Sequence, residues 1–225
     1  MFKTCVFLNT STDAHAPDPF RYRDETAAAE CRALCPDVAG YTQTRALADQ
    51  VEPGAAPAFA GVAELYFQEP QQALAVGNAP ERLAPLLEGG SDRIGPVITG
   101  LTRTVMRLPA HLTRVSIKGV FPFRRKAELT VEAFQRYWWQ HHGPIAALTE
   151  EALCYLQCHP LEATYGTERP AYDGITELHW PDVEAARRSM ASRQMQEDQA
   201  GDAVNFVDLE NVLLFLAEEE AVIAT

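Results

Sequence analysis

The 225-residue sequence is poor in basic residues and has no long apolar run. It contains 19 Lys and Arg against 31 Asp and Glu, which gives a formal net charge of −12. A nucleic acid or an anionic membrane surface requires a basic footprint, so we expect neither as a partner. No apolar stretch approaches the length that spans a bilayer.

The cysteines lack the spacing of a metal or redox motif. None of the five forms a Cys-x-x-Cys pair. Two pairs are spaced by four residues and one cysteine stands alone: Cys31/Cys35, Cys154/Cys158 and Cys5. We interpret them as small buried apolar side chains in a reducing cytoplasm. The first ten residues predict a strand rather than a signal peptide, so the expected location is cytoplasmic.

The chain contains a faint internal repeat. Gly40–Leu47 resembles Cys154–Leu161, and Phe59–Phe67 resembles Tyr172–Trp180. Tyr155 follows Tyr41 by 114 residues, and Glu177 follows Glu64 by 113 residues. Two matches in the same order at nearly the same offset predict two copies of one module, residues 1–110 and 111–225.

Each half predicts the element order βαββαβ, the ferredoxin-like plan. In the second half the predicted elements are a strand over 112–121, a helix from Thr130 as N-cap to His142, strands over 155–159 and 173–180, a helix opening at Pro181-Asp182, a loop or frayed helix over 194–202, and a closing strand over 209–217. Two helices cover only one face of such a sheet. We therefore expect an α+β fold in which the two sheets pair into a barrel within one chain. The space between the sheets would hold a small molecule.

The segment from Phe134 to Pro144 concentrates aromatic residues and histidines. Phe134, Trp138 and His142 recur every four residues and share one helix face. Pro144 predicts a helix end directly after His142. A histidine at a helix C-terminus beside an indole can titrate near neutral pH, as a general acid or base must. The alternative is a structural histidine that caps its helix.

The second half resembles the EthD domain, a member of the dimeric α+β barrel superfamily. The matching stretches are Phe123-Arg-Arg-Lys126, Leu129–Phe134, Tyr137-Trp138-x-x-x-His142-Gly-Pro144, Tyr155-x-Gln157-x-His159, Tyr172-Asp173-Gly-Ile-Thr-Glu177-Leu, and Asp202-x-x-x-Phe206-x-Asp208. The first half shares only Tyr41-x-Gln43 and Gly61-Val-Ala-Glu64-Leu, and resembles a degenerate copy. The resemblance implies ferredoxin-like modules paired into a barrel and leaves the chemistry open.

Several other polar residues are candidates for the site. Tyr155, Gln157 and His159 alternate on one strand and predict either a wet cavity between the sheets or a solvated face. Asp173, Glu177 and His179 share a face of the next strand, where two carboxylates and an imidazole predict a proton relay. A structural Glu177 is the alternative, because Glu64 holds the matching place in the half that lacks the aromatic helix. Trp138 and Phe134 either line the pocket or belong to the core.

These residues lead to three function hypotheses. The first is a cofactor-independent enzyme that isomerises, cyclises, dehydrates or eliminates from a small hydrophobic or aromatic substrate. In that enzyme His142 is the acid/base, His159, Tyr155 and Asp173 assist it, and Trp138, Phe134, Gln157 and Glu177 contact the substrate. The second is a non-catalytic ligand-binding accessory protein, and the third a monooxygenase-like or haem-binding barrel. The spacing of His142, His159, Asp173 and Glu177 matches no metal motif, so we expect no metal or other cofactor. A homodimer is a further possibility.

Overall fold

A computed structural model describes residues 1–10, 18–107, 117–166 and 169–224 of the chain. The nine strands formed by these residues belong to one antiparallel sheet. In chain order they are β1 (Phe2–Leu8), β2 (Gly40–Ala46), β3 (Gly61–Phe67), β4 (Ile94–Arg107), β5 (Ile117–Arg125), β6 (Cys154–Pro160), β7 (Gly174–Trp180), β8 (Val207–Val212) and β9 (Phe215–Ile223).

The sheet closes into a barrel. The strand order is β7-β6-β4-β1-β3-β2-β9-β5-β8, and β5 also pairs with β7. This second pairing joins the ends of an eight-stranded ring and leaves β8 as an additional strand on β5. A closed ring has no free strand edges, which removes the usual site of edge-to-edge aggregation.

The ring consists of two ferredoxin-like modules. The order β4-β1-β3-β2 in the first module matches β9-β5-β7-β6 in the second. The modules join along two seams, where β4 pairs with β6 and β2 pairs with β9. The predicted α+β barrel within one chain is therefore confirmed. The predicted division near residue 110 lies outside the described residues and stays a prediction.

Helices cover the outer face of the ring. They are α1 (Asp24–Leu34), α2 (Pro70–Gly77), α3 (Val131–Tyr137), α4 (Gly143–Ala146), α5 (Val183–Ala191) and α6 (Ala200–Ala203). Side-chain caps start two of them, because Thr130 accepts from the Ala133 amide at 3.1 Å and Asp182 accepts from the Ala185 amide at 2.7 Å. Among the described helices, none combines the length and apolar composition that crossing a bilayer requires.

Two element predictions in the second half were wrong. The predicted single closing strand is two strands, β8 and β9, with a turn at residues 213–214. The stretch predicted as loop or frayed helix is a π-helical turn, Gln194–Gln199, followed by α6. Its glutamines explain the order, since Gln199 donates to Thr149 at 2.9 Å and to Gln194 at 2.7 Å in a buried position.

One half of the barrel interior is apolar. Three phenylalanines meet there, with ring centroids 4.8 Å apart for Phe7 and Phe59 and 6.1 Å apart for Phe59 and Phe215. Aliphatic side chains and two cysteines complete the cluster: Cys5, Val62, Ile98, Val120, Cys158 and Ile175. These residues occupy much of the space where we expected a ligand between the sheets.

The other half of the interior holds a network of ion pairs. Lys3, Glu64, Lys118 and Glu177 are each at most 2% exposed. Glu64 lies 2.8 Å from Lys3 Nζ and 2.6 Å from Lys118 Nζ, and Glu177 pairs with both ammonium groups. Each lysine therefore pairs with one carboxylate from the first module and one from the second.

Lys3, Lys118 and Glu64 keep their charges at neutral pH. Burial alone would lower the pKa of Lys118, but the carboxylates of Glu177, Glu219 and Glu64 raise it well above its usual value. Burial alone would raise the pKa of Glu64, but Lys118 and Lys3 hold it well below its usual range. Thr44 also donates to Glu64 at 2.6 Å. Burial of these charges is tolerated because each one is paired with opposite charges.

Replacing Lys118 by Met should strongly destabilise the protein, because Glu64 and Glu177 would lose a buried counter-charge. We expect a loss of about 3–5 kcal/mol in the free energy of unfolding, measured by urea titration. The control is Lys126→Met, whose partly exposed pair with Glu128 spans 3.8 Å and should contribute at most about 1 kcal/mol. Equal effects of the two substitutions would contradict a structural role for the network.

Candidate functional site

The aromatic helix of the second module continues past the position where it was predicted to end. After α3, a π-helical turn (Trp138–His142) leads directly into α4. Pro144 has no amide proton and its ring would crowd a regular α-helical turn. The wider turn resolves this conflict, because the Gly143 amide donates to the Trp138 carbonyl five residues earlier. His142 is therefore within a helix and not at its C-terminus.

His142 is held by a carboxylate from α6. Its Nδ1 lies 2.9 Å from Asp202 Oδ2, and Tyr137 donates from its hydroxyl to Asp202 Oδ1 at 2.7 Å. The imidazole packs against Phe206 with the centroids 4.9 Å apart. His142 is only 8% exposed. The dyad therefore has a fixed geometry and little contact with solvent.

Burial lowers the pKa of His142 below its usual value, and the Asp202 carboxylate opposes this shift. The neutral imidazole dominates at pH 7 as a result. Because Nδ1 donates to the carboxylate in that state, Nε2 carries the free lone pair. The expected helix-end dipole does not contribute, since the helix continues to Ala146.

Trp138 lies at the centre of the layer between this helix and the outer face of β6. It is fully buried, and its Nε1 donates to the Tyr155 hydroxyl at 3.2 Å. Gln157 Nε2 donates to the Trp138 carbonyl at 3.1 Å and to the Tyr155 hydroxyl at 2.9 Å. The His159 ring lies 4.4 Å from the indole, between centroids.

The predicted face of β6 was wrong. Tyr155, Gln157 and His159 face the helices, while Cys158 belongs to the barrel interior. The polar triple thus lines the same layer as His142 and does not line a space between the sheets. It survives burial because its members bond to one another and to Trp138.

The amide of Gln157 determines the tautomer of His159. The two hydrogen bonds that Gln157 Nε2 donates fix the orientation of the amide. Its oxygen therefore faces His159 Nε2, which lies 2.8 Å away and must carry the proton. Nδ1 of His159 is then a buried acceptor, and it has no partner among the described residues. Burial, assisted by Arg103, lowers the pKa of His159 to about 3.

The remaining aromatic candidate, Phe134, belongs to the core of the same layer. It is fully buried, stacks on Trp138 at 5.7 Å and contacts Phe206 at 5.9 Å. The sequence motif therefore places Phe134, Trp138 and His142 on one face as predicted. The first two fill space, and His142 carries the titratable group.

Asp173 and Glu177 lie away from this layer and do not form the predicted relay. Asp173 accepts from Tyr165 at 3.1 Å, from Arg169 and from the Arg125 amide at 3.1 Å. It anchors the loop before β7 to β5. Glu177 belongs to the interior network, which agrees with the structural alternative.

One group of possible metal ligands comes together among the residues that the structure describes. Single ligand atoms of Cys5, Glu64 and Glu177 lie within 4.8 Å of one another. The two lysine ammoniums already neutralise these carboxylates, so the donor set does not fit a cation.

Two residues of the site received no role from the sequence. Asp202 and Phe206 belong to the tail motif of the second half, and in the structure they bind and cover His142. Their four-residue spacing was the available signal. The lysines of the interior network were also missed, although Lys3 and Lys118 stand in matching first strands.

Comparison with known proteins supports the second module most directly. Residues 126–210 match the EthD domain, which confirms the resemblance of this part of the chain. No curated protein matches the sequence.

Several solved structures share the fold along nearly the whole chain. An anthrone oxidase-like protein superposes with a TM-score of 0.56 at 9% identity, covering 98% of this chain and 92% of its own. A candidate monooxygenase from Lactobacillus acidophilus NCFM superposes with a TM-score of 0.51 at 8% identity, covering 99% of this chain and 95% of its own. A second candidate monooxygenase, from Fusobacterium nucleatum, superposes with a TM-score of 0.51 at 6% identity, covering 98% of this chain and 92% of its own. Identities this low show the fold alone.

Replacing Asp202 by Asn should lower the pKa of His142 further, because the carboxylate is the group that opposes the effect of burial. A decrease of about 1–3 units is expected for the loss of an adjacent opposite charge. Histidine-selective NMR titration measures it. Replacing the neighbouring exposed Asp198 by Asn is the control. An unchanged His142 titration in Asp202→Asn would contradict the dyad.

The buried histidines should make the protein less stable as the pH falls from 7 to 5. The pKa of His159 is about 3 in the folded state, so the unfolded chain binds more protons in this range. His159 alone should remove about 2 kcal/mol between these pH values. In His159→Gln the decrease, measured by urea unfolding, should be smaller by that amount. The exposed His141→Gln should behave like the wild type.

Proposed function

We propose that this protein catalyses proton transfer on a small hydrophobic or aromatic compound, with His142 as the general base. The reaction would be of the isomerase, cyclase, dehydratase or lyase type. The main observation in favour of this proposal is the 2.9 Å contact between His142 Nδ1 and Asp202 Oδ2, in which His142 is almost fully buried. A general base needs a neutral imidazole, which burial favours here, together with a fixed tautomer and an available lone pair, which this contact supports.

The surroundings of His142 favour an apolar substrate. Phe206 covers one side of the ring, and Phe134 and Trp138 continue the aromatic surface along the same layer. The Tyr137 hydroxyl donates to Asp202 and so keeps that carboxylate oriented. An oriented carboxylate can also stabilise the imidazolium that forms when His142 accepts a proton.

The ligand would enter the helix-covered layer beside the barrel. The interior between the sheets is occupied by aromatic side chains and by the ion-pair network. Entry next to His142 requires movement of the side chains that cover it, and α6 is a short element of four residues. Because the site uses only residues of the second module, we also propose that the first module acts as its scaffold.

Anthrone is a suitable probe, because its methylene group loses a proton to form an aromatic enolate. We expect the protein to accelerate deuterium incorporation at that carbon, followed by NMR in buffered D2O. His142→Gln should lower the catalysed rate by roughly 10²- to 10⁴-fold, since an amide cannot exchange a proton near neutral pH.

The matched control is His141→Gln, which changes the adjacent exposed histidine. Its exchange rate should equal that of the wild type. If the His142→Gln and His141→Gln variants catalysed deuterium exchange into anthrone at equal rates, His142 would be a structural residue. Probe binding without any acceleration would identify an accessory ligand-binding protein.

A further inference from the structure

A shallow cleft at the seam between the modules combines an unpaired arginine with an indole face. It has a volume of about 240 Å³ and is lined by Arg103, Glu132, Gln135, Arg136, Trp139 and Gln140. Arg103 comes from β4 of the first module and Trp139 from the π-helical turn of the second. The cleft therefore exists only when both modules are present.

Arg103 has no carboxylate partner among the residues that the structure describes. Its guanidinium lies over the Trp139 ring, 5.0 Å from the centroid. Its buried Nε has no hydrogen-bond acceptor in the described part of the chain. The other charges of the cleft cancel, because Arg136 pairs with Glu132 at 3.4 Å. In a chain with a net charge of −12, this leaves one local positive charge in the cleft.

A second buried polar atom without a partner among the described residues belongs to His159, which neighbours Arg103 and Trp139. Leu101 and Arg103 pair with His159 and Gln157 across the seam, so Arg103 is the diagonal neighbour of His159 on the same face. The His159 ring also lies 6.4 Å from Trp139, in an edge contact. His159 is 2% exposed, and its Nδ1 accepts no hydrogen bond from any residue that the structure describes. The region thus offers one unpaired cation and one unpaired neutral acceptor.

We propose that this cleft binds a small aromatic carboxylic acid that carries a hydroxyl group. The carboxylate would pair with the Arg103 guanidinium, whose planar donors match its geometry. The aromatic ring would lie against Trp139. The hydroxyl would donate to His159 Nδ1. This site goes beyond the proton-transfer proposal and does not depend on it.

Calorimetric binding of benzoate tests the anion site, with benzamide as the neutral analogue of the same shape. Benzoate should bind the full-length protein more tightly than benzamide does. Arg103→Gln should weaken benzoate binding at least tenfold and leave benzamide unchanged, because only benzoate offers a carboxylate. The benzoate affinity of Arg103→Lys should lie between those of the wild type and Arg103→Gln, since lysine keeps the charge and loses the planar guanidinium.

The matched control is Arg107→Gln, an exposed arginine four residues along the same strand and outside the cleft. It should bind benzoate as the wild type does. An absence of benzoate binding at millimolar concentrations, or equal effects of Arg103→Gln and Arg107→Gln, would overturn the proposal.

The hydroxyl contact is tested with the three hydroxybenzoate isomers. At least one isomer should bind more tightly than benzoate, and His159→Phe should abolish that advantage while retaining benzoate binding. If no isomer were favoured, or if the advantage persisted in His159→Phe, the assignment of His159 would be wrong. Binding is measured without turnover, so a failure here leaves His142 as a base untouched. A failure of His142 in deuterium exchange likewise leaves this cleft intact.

Discussion

The structure depends on four charges buried between the two modules. Lys3 and Glu64 belong to one module, Lys118 and Glu177 to the other, and each ammonium pairs with both carboxylates. Burying one such charge alone costs several kcal/mol, so each residue is tolerated only while the others are in place. The ion pairs form only when the two modules are aligned in one particular way. Apolar packing alone would specify this alignment less strictly.

The layer beside the barrel follows from that register. With the sheets fixed, β6 presents Tyr155, Gln157 and His159 to the helices, and Trp138 fills the space between them. Gly174 permits this packing, because a Cβ at that position would lie 2.8 Å from a Trp138 ring atom. The π-helical turn then positions His142 against Asp202.

Much of the fold could be predicted from the sequence, because its signals were local. The Thr130 cap, the strand Gly61–Phe67 and the matching glutamates depend on short patterns that tertiary contacts did not override. The side to which β6 turns its polar residues could not be predicted, since alternation identifies two faces but not their surroundings. The π-helical turn was missed because a Gly-Pro pair commonly ends a helix. Asp202 joins His142 across 60 residues, a pairing that spacing does not reveal.

The closure of the ring within one chain has a consequence for divergence. In a barrel built from two identical chains, every substitution occurs twice, once on each side of the symmetry axis. Here the cross-strand neighbours of the matching charged residues differ between the modules. The neighbour of Glu64 is Cys5, whereas the neighbour of Glu177 is Val120. The neighbour of Lys3 is Tyr66, whereas the neighbour of Lys118 is His179. In a single chain, residues on one side of the barrel can therefore change while the matching residues on the other side stay as they are.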